Sequence, residues 1–176
     1  MASRPHESDF ENTTIERLKL LGYEHDYGPE LRESPDFPLE AVVHKACLRR
    51  HLHARYDALP DPAIEAAVQI ATSTDGVTQL QRNMDFHRKL ARGFEVPYET
   101  PEGEERHEHV YLIDWEHPEK NDFRVVSQLP IHGQNDRRPD LIVYVNGLPL
   151  VVFELKNPYD EAPTVAGALN QIGHYC

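Results

Sequence analysis

Two acids and a lysine stand at the ends of two apolar runs near the end of this chain. Asp140 opens Leu141-Ile-Val-Tyr-Val145 and Glu154 closes Leu148-Pro-Leu-Val-Val-Phe153. Lys156 follows two positions later, and Arg138-Pro139 directly precedes the first acid. Ionised groups beside buried strands carry a large desolvation cost unless they are paired, bound to a cation or placed at the open end of a sheet. Residues of these types suit metal-assisted hydrolysis of a phosphodiester. Such chemistry needs a hard cation to polarise phosphate oxygens and to lower the pKa of an attacking water, and Mg²⁺ prefers carboxylate, carbonyl and water oxygens. Asp140, Glu154 and the Leu155 backbone carbonyl can supply them. Lys156 can hold the water or stabilise charge developing on the phosphate. A plain structural salt bridge between Lys156 and one of the acids is the alternative.

Whether the charges meet depends on the connection between the two runs. Asn146-Gly147 is the strongest short-range hairpin signal. With a two-residue loop in unbroken register, Asp140 faces Phe153 and lies on the opposite side of the sheet from Glu154. A three-residue loop or a bulge shifts the parity, so that Asp140, Val152, Glu154 and Lys156 share a face and Phe153 and Leu155 join Leu141 on the other. The site requires this second geometry. Both faces are then rich in apolar residues, so a sheet covered by helices is expected.

The elements that must position the site divide by pattern. Ile15, Leu18 and Leu21 mark an amphipathic helix over Glu11–Leu21, with Gly22 placed to end it. Helices are also expected over Leu39–Leu59, over Pro62–Thr72, and from an N-cap at Asp75 to about Arg92. Beyond Gly93, Val96–Tyr98, His109–Trp115 and Phe123–Leu129 read as strands, and a helical pattern resumes over Pro163–Tyr175. The expectation is one endonuclease domain over 1–176, helical over about 10–92 and sheet-bearing over about 93–176. A domain stopping at residue 176 would stop in mid-helix, so the sequence reads as the N-terminal part of something longer.

Composition narrows the partners and the compartment. The chain has 176 residues and a formal net charge of −12, which counts against general affinity for nucleic acid. Yet His44–Arg55 holds Lys45, Arg49, Arg50 and Arg55 without an acid. That stretch is either a solvated helix face or a basic flank to a DNA channel, whereas Glu99–Glu108 reads as an acidic exposed loop. No apolar run approaches the ~20 residues needed to span a bilayer, and the polar start is not a secretion signal. Cys47 and Cys176 form no Cys-x-x-Cys pair. A cytoplasmic protein without a membrane partner is expected. His51-Leu-His53 and His107-Glu-His109 lack a third ligand at zinc spacing, and Asp114 and Asp122 read as strand-end or turn residues.

Pro139-Asp140 with Glu154-Leu-Lys156 resembles the PD-(D/E)xK nuclease motif. Its surroundings, Asn121-Asp-Phe-Arg-Val-Val-Ser-Gln128 and Arg138 through Pro158, resemble the nuclease domain of type I restriction enzyme R (motor) subunits. Glu11-Asn-Thr-Thr-Ile-Glu-Arg-Leu18, Leu21-Gly-Tyr23, and Asn83 with Phe86, Leu90 and Gly93 fit the same pattern. The resemblance implies an α/β fold, with a restriction-endonuclease-like core whose central mixed sheet is flanked by helices and preceded by a helical block. It implies Mg²⁺, double-stranded DNA, and the methyltransferase (M) and specificity (S) subunits of a restriction complex as partners. It adds Gln171 and Tyr175, a Gln-x-x-x-Tyr pair on one helix face, and an acid on the first helix, taken as Glu11, with Glu7 and Glu16 as competitors. Arg138, Lys45, Arg49 and Arg50 are the candidates for DNA contact. A helicase-like, ATP-driven motor would follow residue 176; this chain has no Gly-x-x-x-x-Gly-Lys-Ser/Thr loop of its own. The rivals are a catalytically silent docking module and a free-standing nuclease of the resolvase or repair type.

Overall fold

The computed structural model describes residues 7–133, 136–156 and 169. Two compact units divide the chain: one comprises residues 1–42, 123–145 and 149–176, the other 43–122 and 146–148. The second unit is therefore largely an insertion into the first.

In the first unit, helix α1 (Glu7–Leu20) is followed by strand β1 (Glu24–Tyr27) and the short helix α2 (Gly28–Leu31). Gly22, at φ +94°, ends α1 in a left-handed cap, with the Gly22 and Tyr23 amides donating to the Lys19 and Leu18 carbonyls at 3.0 and 3.1 Å. The chain returns to this unit at strands β4 (Phe123–Ser127), β5 (Leu141–Val145) and β6 (Leu148–Phe153), giving a sheet of order β1-β4-β5-β6. β1 runs parallel to β4, Glu24 opposite Arg124 and Tyr27 opposite Ser127. β5 runs antiparallel to β4, Ser127 opposite Leu141. The fold is α/β with a mixed sheet between helices.

Each face of that sheet has its own apolar cover. Ile15, Val125 and Leu141 form one cluster, joined by Leu18, Tyr23, Phe153 and Leu155; Phe37, Val126, Leu129, Ile142 and Tyr144 form the other, joined by Leu31, Ala41 and Ile131. Truncating Leu141, fully buried in the first cluster, to Ala would cost about 2–5 kcal/mol. β1 departs from the helical block expected over residues 10–92. It has no apolar alternation, and its pairing draws instead on Arg124, which reaches Glu24 at 2.9 Å and Asp26 at 3.0 Å.

The second unit packs α3 (Lys45–Arg55) and α4 (Asp61–Thr72) beside a hairpin of β2 (Phe94–Glu99) and β3 (Glu105–Val110), with α5 (Gln79–Arg92) leading into it. Leu48, Leu52, Ile64, Val68, Val96, Val110 and Leu112 are fully buried. Three expectations need correction here. The helix expected over Leu39–Leu59 spans only Lys45–Arg55. The N-cap of α5 is Thr78 in a capping box with Gln81, not Asp75. The strand expected over His109–Trp115 lies earlier, at Glu105–Val110, and takes in the end of the acidic stretch read as a loop, because cross-strand pairing and not apolar alternation defines it. No helix among the described residues is long and apolar enough to cross a membrane.

Candidate active site

Asp140 stands one residue ahead of β5. Its carbonyl accepts from the Gln128 amide at 2.9 Å, extending the β4–β5 ladder one step beyond the Ser127–Leu141 pair. Its carboxylate Oδ2 accepts from the Leu155 amide at 2.7 Å. That amide belongs to the peptide link leaving Glu154, so the first acid is anchored on the backbone that carries the second. The Lys156 Nζ stands 3.9 Å from the Glu154 Oε2; the Glu154 side chain is 1% exposed and that of Lys156 37%. The three charged residues of the motif thus occupy one end of the sheet.

The route to this arrangement combines the two registers set out from sequence. The loop itself has only two residues: Asn146 and Gly147 adopt φ +53° and +81°, both positive as in a type I′ hairpin. A three-residue loop is therefore wrong. In unbroken register such a turn would put Phe153 on the side of Ile142 and Tyr144, yet Phe153 and Leu155 pack with Leu141 and Val125. The parity changes within β6, where Val151 and Val152 are both exposed in succession, as at a bulge.

Among the first-helix acids, Glu11 points to this end of the sheet. Its Oε2 accepts from the Gln128 Nε2 at 2.8 Å. Burial raises its pKa and the charge of Asp140 raises it further, while the Gln128 hydrogen bond and the neighbouring His25 and Arg138 charges oppose the shift. Glu16 instead pairs with Lys19 at 2.9 Å on the surface. The side chain of Glu7, along with Gln171 and Tyr175, lies outside the described residues.

The remaining candidates disperse. Lys45, Arg49 and Arg50 belong to α3 in the second unit, where Arg49 bonds the Glu65 carboxylate and Arg50 reaches Asp122 at 3.5 Å. His51 is buried and receives a hydrogen bond from Asn146 Nδ2 at 3.2 Å; burial, then the Arg55 charge, pushes its pKa down to about 4. His53 faces Asp61 at 3.9 Å. His109 bridges Glu95 at 2.6 Å and the Arg92 carbonyl at 2.7 Å, and these bonds raise its pKa. Asp114 accepts from the His117 amide and pairs with Arg55, and Asp122 accepts from the buried Cys47 thiol at 3.2 Å. Among the described residues no three His, Cys, Asp or Glu side chains cluster to hold a metal.

Two residues at this end were not singled out from sequence. Gln128 touches both Glu11 and Asp140, and His25 on β1 sits 2.9 Å from the Ser127 hydroxyl. Gln128 carries no turn signal, and His25 lies on a strand without an apolar pattern. His25 is placed by the β1–β4 pairing, and Gln128 by partners on α1 and just ahead of β5.

Comparison with known proteins gives a concordant set of relatives. Residues 4–176 match the family model described as "Type I restriction enzyme R protein N terminus". The chain is 39% identical over 176 residues to the type I restriction enzyme HindI endonuclease subunit of Haemophilus influenzae, covering 97% of this chain and 17% of that protein. It is 33% identical over 156 residues to the putative type I restriction enzyme MjaIXP endonuclease subunit of Methanocaldococcus jannaschii, covering 84% of this chain and 15% of that protein. Over 70 residues it is 36% identical to the type I restriction enzyme EcoprrI endonuclease subunit of Escherichia coli, covering 40% of this chain and 21% of that one. The chain spans less than a fifth of the length of the first two relatives.

Proposed function

The chain belongs to the type I restriction enzyme R protein N-terminal family, and on that footing we propose that its first unit is a Mg²⁺-dependent endonuclease of the PD-(D/E)xK kind. It would cut double-stranded DNA delivered by an ATP-driven motor elsewhere in the same subunit, within a cytoplasmic complex that includes the methyltransferase and specificity subunits. The observation that carries this reading is the 2.7 Å bond from the Leu155 amide to Asp140, which joins the first acid to the segment bearing Glu154 and Lys156.

The residues present fit a hard cation. Asp140, Glu154 and the Leu155 carbonyl offer only oxygen, with no thiolate or imidazole that would favour zinc. The Glu154 carboxylate is withdrawn from solvent, and Lys156 at 3.9 Å is at the outer limit of an ion pair. A carboxylate withdrawn from solvent is stabilised by positive charge beside it. When bound, Mg²⁺ would polarise the scissile phosphate and acidify an attacking water. Asp140, held by the Leu155 amide, fixes the angle of one ligand. Lys156, partly exposed, keeps an ammonium at the mouth of the site, where it can orient the water or meet negative charge on the phosphate. The net charge of −12 suits a domain that receives its DNA from a motor and has little need to capture it.

The test is cleavage and ATP hydrolysis measured together in the full-length subunit, assembled in its complex, with wild type and Asp140→Ala. Loss of cutting with ATP hydrolysis retained is expected. Wild-type cutting by Asp140→Ala would instead favour a docking module whose charges only brace the hairpin.

A further inference from the structure

Gln128 holds a backbone conformation that its side chain does not favour. It follows β4 at φ +53°, in the left-handed region where Gly and Asn are the usual occupants. For a residue such as Gln this conformation is unfavourable, and such strain persists only where the surroundings over-determine it. They do so here. Ser127 and Leu129 on either side are buried, and Gly28 lies so close that a Cβ on it would stand 2.4 Å from the Leu129 Cα. The Gln128 amide is fixed on the Asp140 carbonyl at 2.9 Å.

Glycine would relieve the strain, and asparagine would tolerate it, so the occupant calls for a reason in its side chain. The Gln128 Nε2 donates to the Glu11 Oε2 at 2.8 Å. An ionised carboxylate only accepts, so the amide nitrogen is the end that must face it. Asparagine is one methylene shorter. A single residue therefore ties the acid of α1 and the backbone of Asp140 to the same point at the end of β4.

We propose that Gln128 is a positioning residue, strained so that its amide holds the Glu11 carboxylate beside Asp140 at the cation site. This inference rests on the nuclease reading above. Glu11 and Asp140 are near enough to act on each other electrostatically, so the two acids repel, and α1 needs a tether to keep Glu11 in place. Partners that orient metal-site acids in this way typically change metal affinity or activity by about 10- to 100-fold when removed.

The experiment uses the full-length subunit in its restriction complex, carrying Gln128→Gly, Gln128→Asn or Asp140→Ala. The readouts are the Mg²⁺ concentration for half-maximal cleavage, the Mg²⁺-dependent rise in melting temperature, the melting temperature without metal, and ATP hydrolysis. Gln128→Gly should melt without metal at or above the wild-type temperature and hydrolyse ATP normally. It should nevertheless require about 10- to 100-fold more Mg²⁺ for cleavage and for the thermal rise. Gln128→Asn should share the raised requirement. A wild-type Mg²⁺ requirement in Gln128→Gly, with Asp140→Ala inactive, overturns the positioning role alone. Loss of metal-free stability in step with cleavage also overturns it, since Gln128 would then be merely structural. Cutting by Asp140→Ala would instead sink the underlying site.

Discussion

The Asp140 carboxylate accepts a 2.7 Å hydrogen bond from the Leu155 amide. This bond sets the first acid of the motif against the peptide that joins the second acid to the lysine. The hydrogen bond needs only an acceptor, whereas the proposed metal contact needs charge.

Asp140→Asn retains an acceptor for the Leu155 amide and removes the charge. Without divalent metal, its melting temperature should stay close to that of wild type, because a neutral hydrogen bond differs from a charged one by only about 1 kcal/mol. With millimolar Mg²⁺, the wild type should gain stability by mass action and the variant should not. Paired thermal melts check this, and an equal Mg²⁺-dependent rise in both proteins would count against Asp140 as a ligand.

Asn146 occupies the hairpin turn yet is fully buried. Its Nδ2 donates to the Leu112 carbonyl at 2.9 Å and the Asn121 Oδ1 at 2.8 Å, and reaches His51 at 3.2 Å, while its Oδ1 accepts from the Asp122 amide at 2.8 Å. Asn146→Ala would strand several buried groups, each worth about 1–3 kcal/mol, and would force alanine to φ +53°. We expect a loss of at least about 3 kcal/mol in denaturant unfolding. A loss below about 1 kcal/mol would show that water replaces these bonds.

His51 supplies a pH dependence. Burial holds its folded pKa at about 4, below the ordinary 6.5, so the unfolded chain binds the extra proton first as pH falls. Its contribution is complete above about pH 6.5 and is lost as pH falls through about 4. The full span corresponds to on the order of 3 kcal/mol. Unfolding free energies of wild type and His51→Gln at pH 7 and pH 5 check it. The wild type should lose more over that interval than the variant, and equal losses would contradict the assignment.

Much of the sheet end was legible because its signals are local. Asp140, Glu154 and Lys156 stand out by breaking apolar runs, and Asn146-Gly147 announces the turn. The turn gave no sign of its burial: Gly147 is packed so that a Cβ would lie 2.4 Å from the His44 carbonyl, a contact made by sequence-distant chain. The parity change lies not in the loop but in β6, where the packing of Phe153 and Leu155 against Ile15 and Leu141 sets it. β1 escaped notice because Glu24-His-Asp-Tyr27 has no apolar period and depends on Arg124, about a hundred residues away. The helix α5 was found by its pattern, but its buried positions include an ion pair, Asp85 with Lys89 at 2.8 Å, while Leu80 and Met84 are exposed. Gln128 ends a stretch that carries the resemblance, but its role lies in two partners distant in sequence.

Asp140 and Glu154 are proposed to hold one cation between them. Anomalous diffraction from crystals soaked in Mn²⁺, which shares the oxygen preference of Mg²⁺, tests it most directly. One anomalous peak is expected, in contact with the carboxylates of Asp140 and Glu154 and the Leu155 carbonyl at about the 2.1 Å required for Mg²⁺, with the Lys156 ammonium beside it. A site without a peak at saturating Mn²⁺, or with the metal on only one of the two carboxylates, would contradict it.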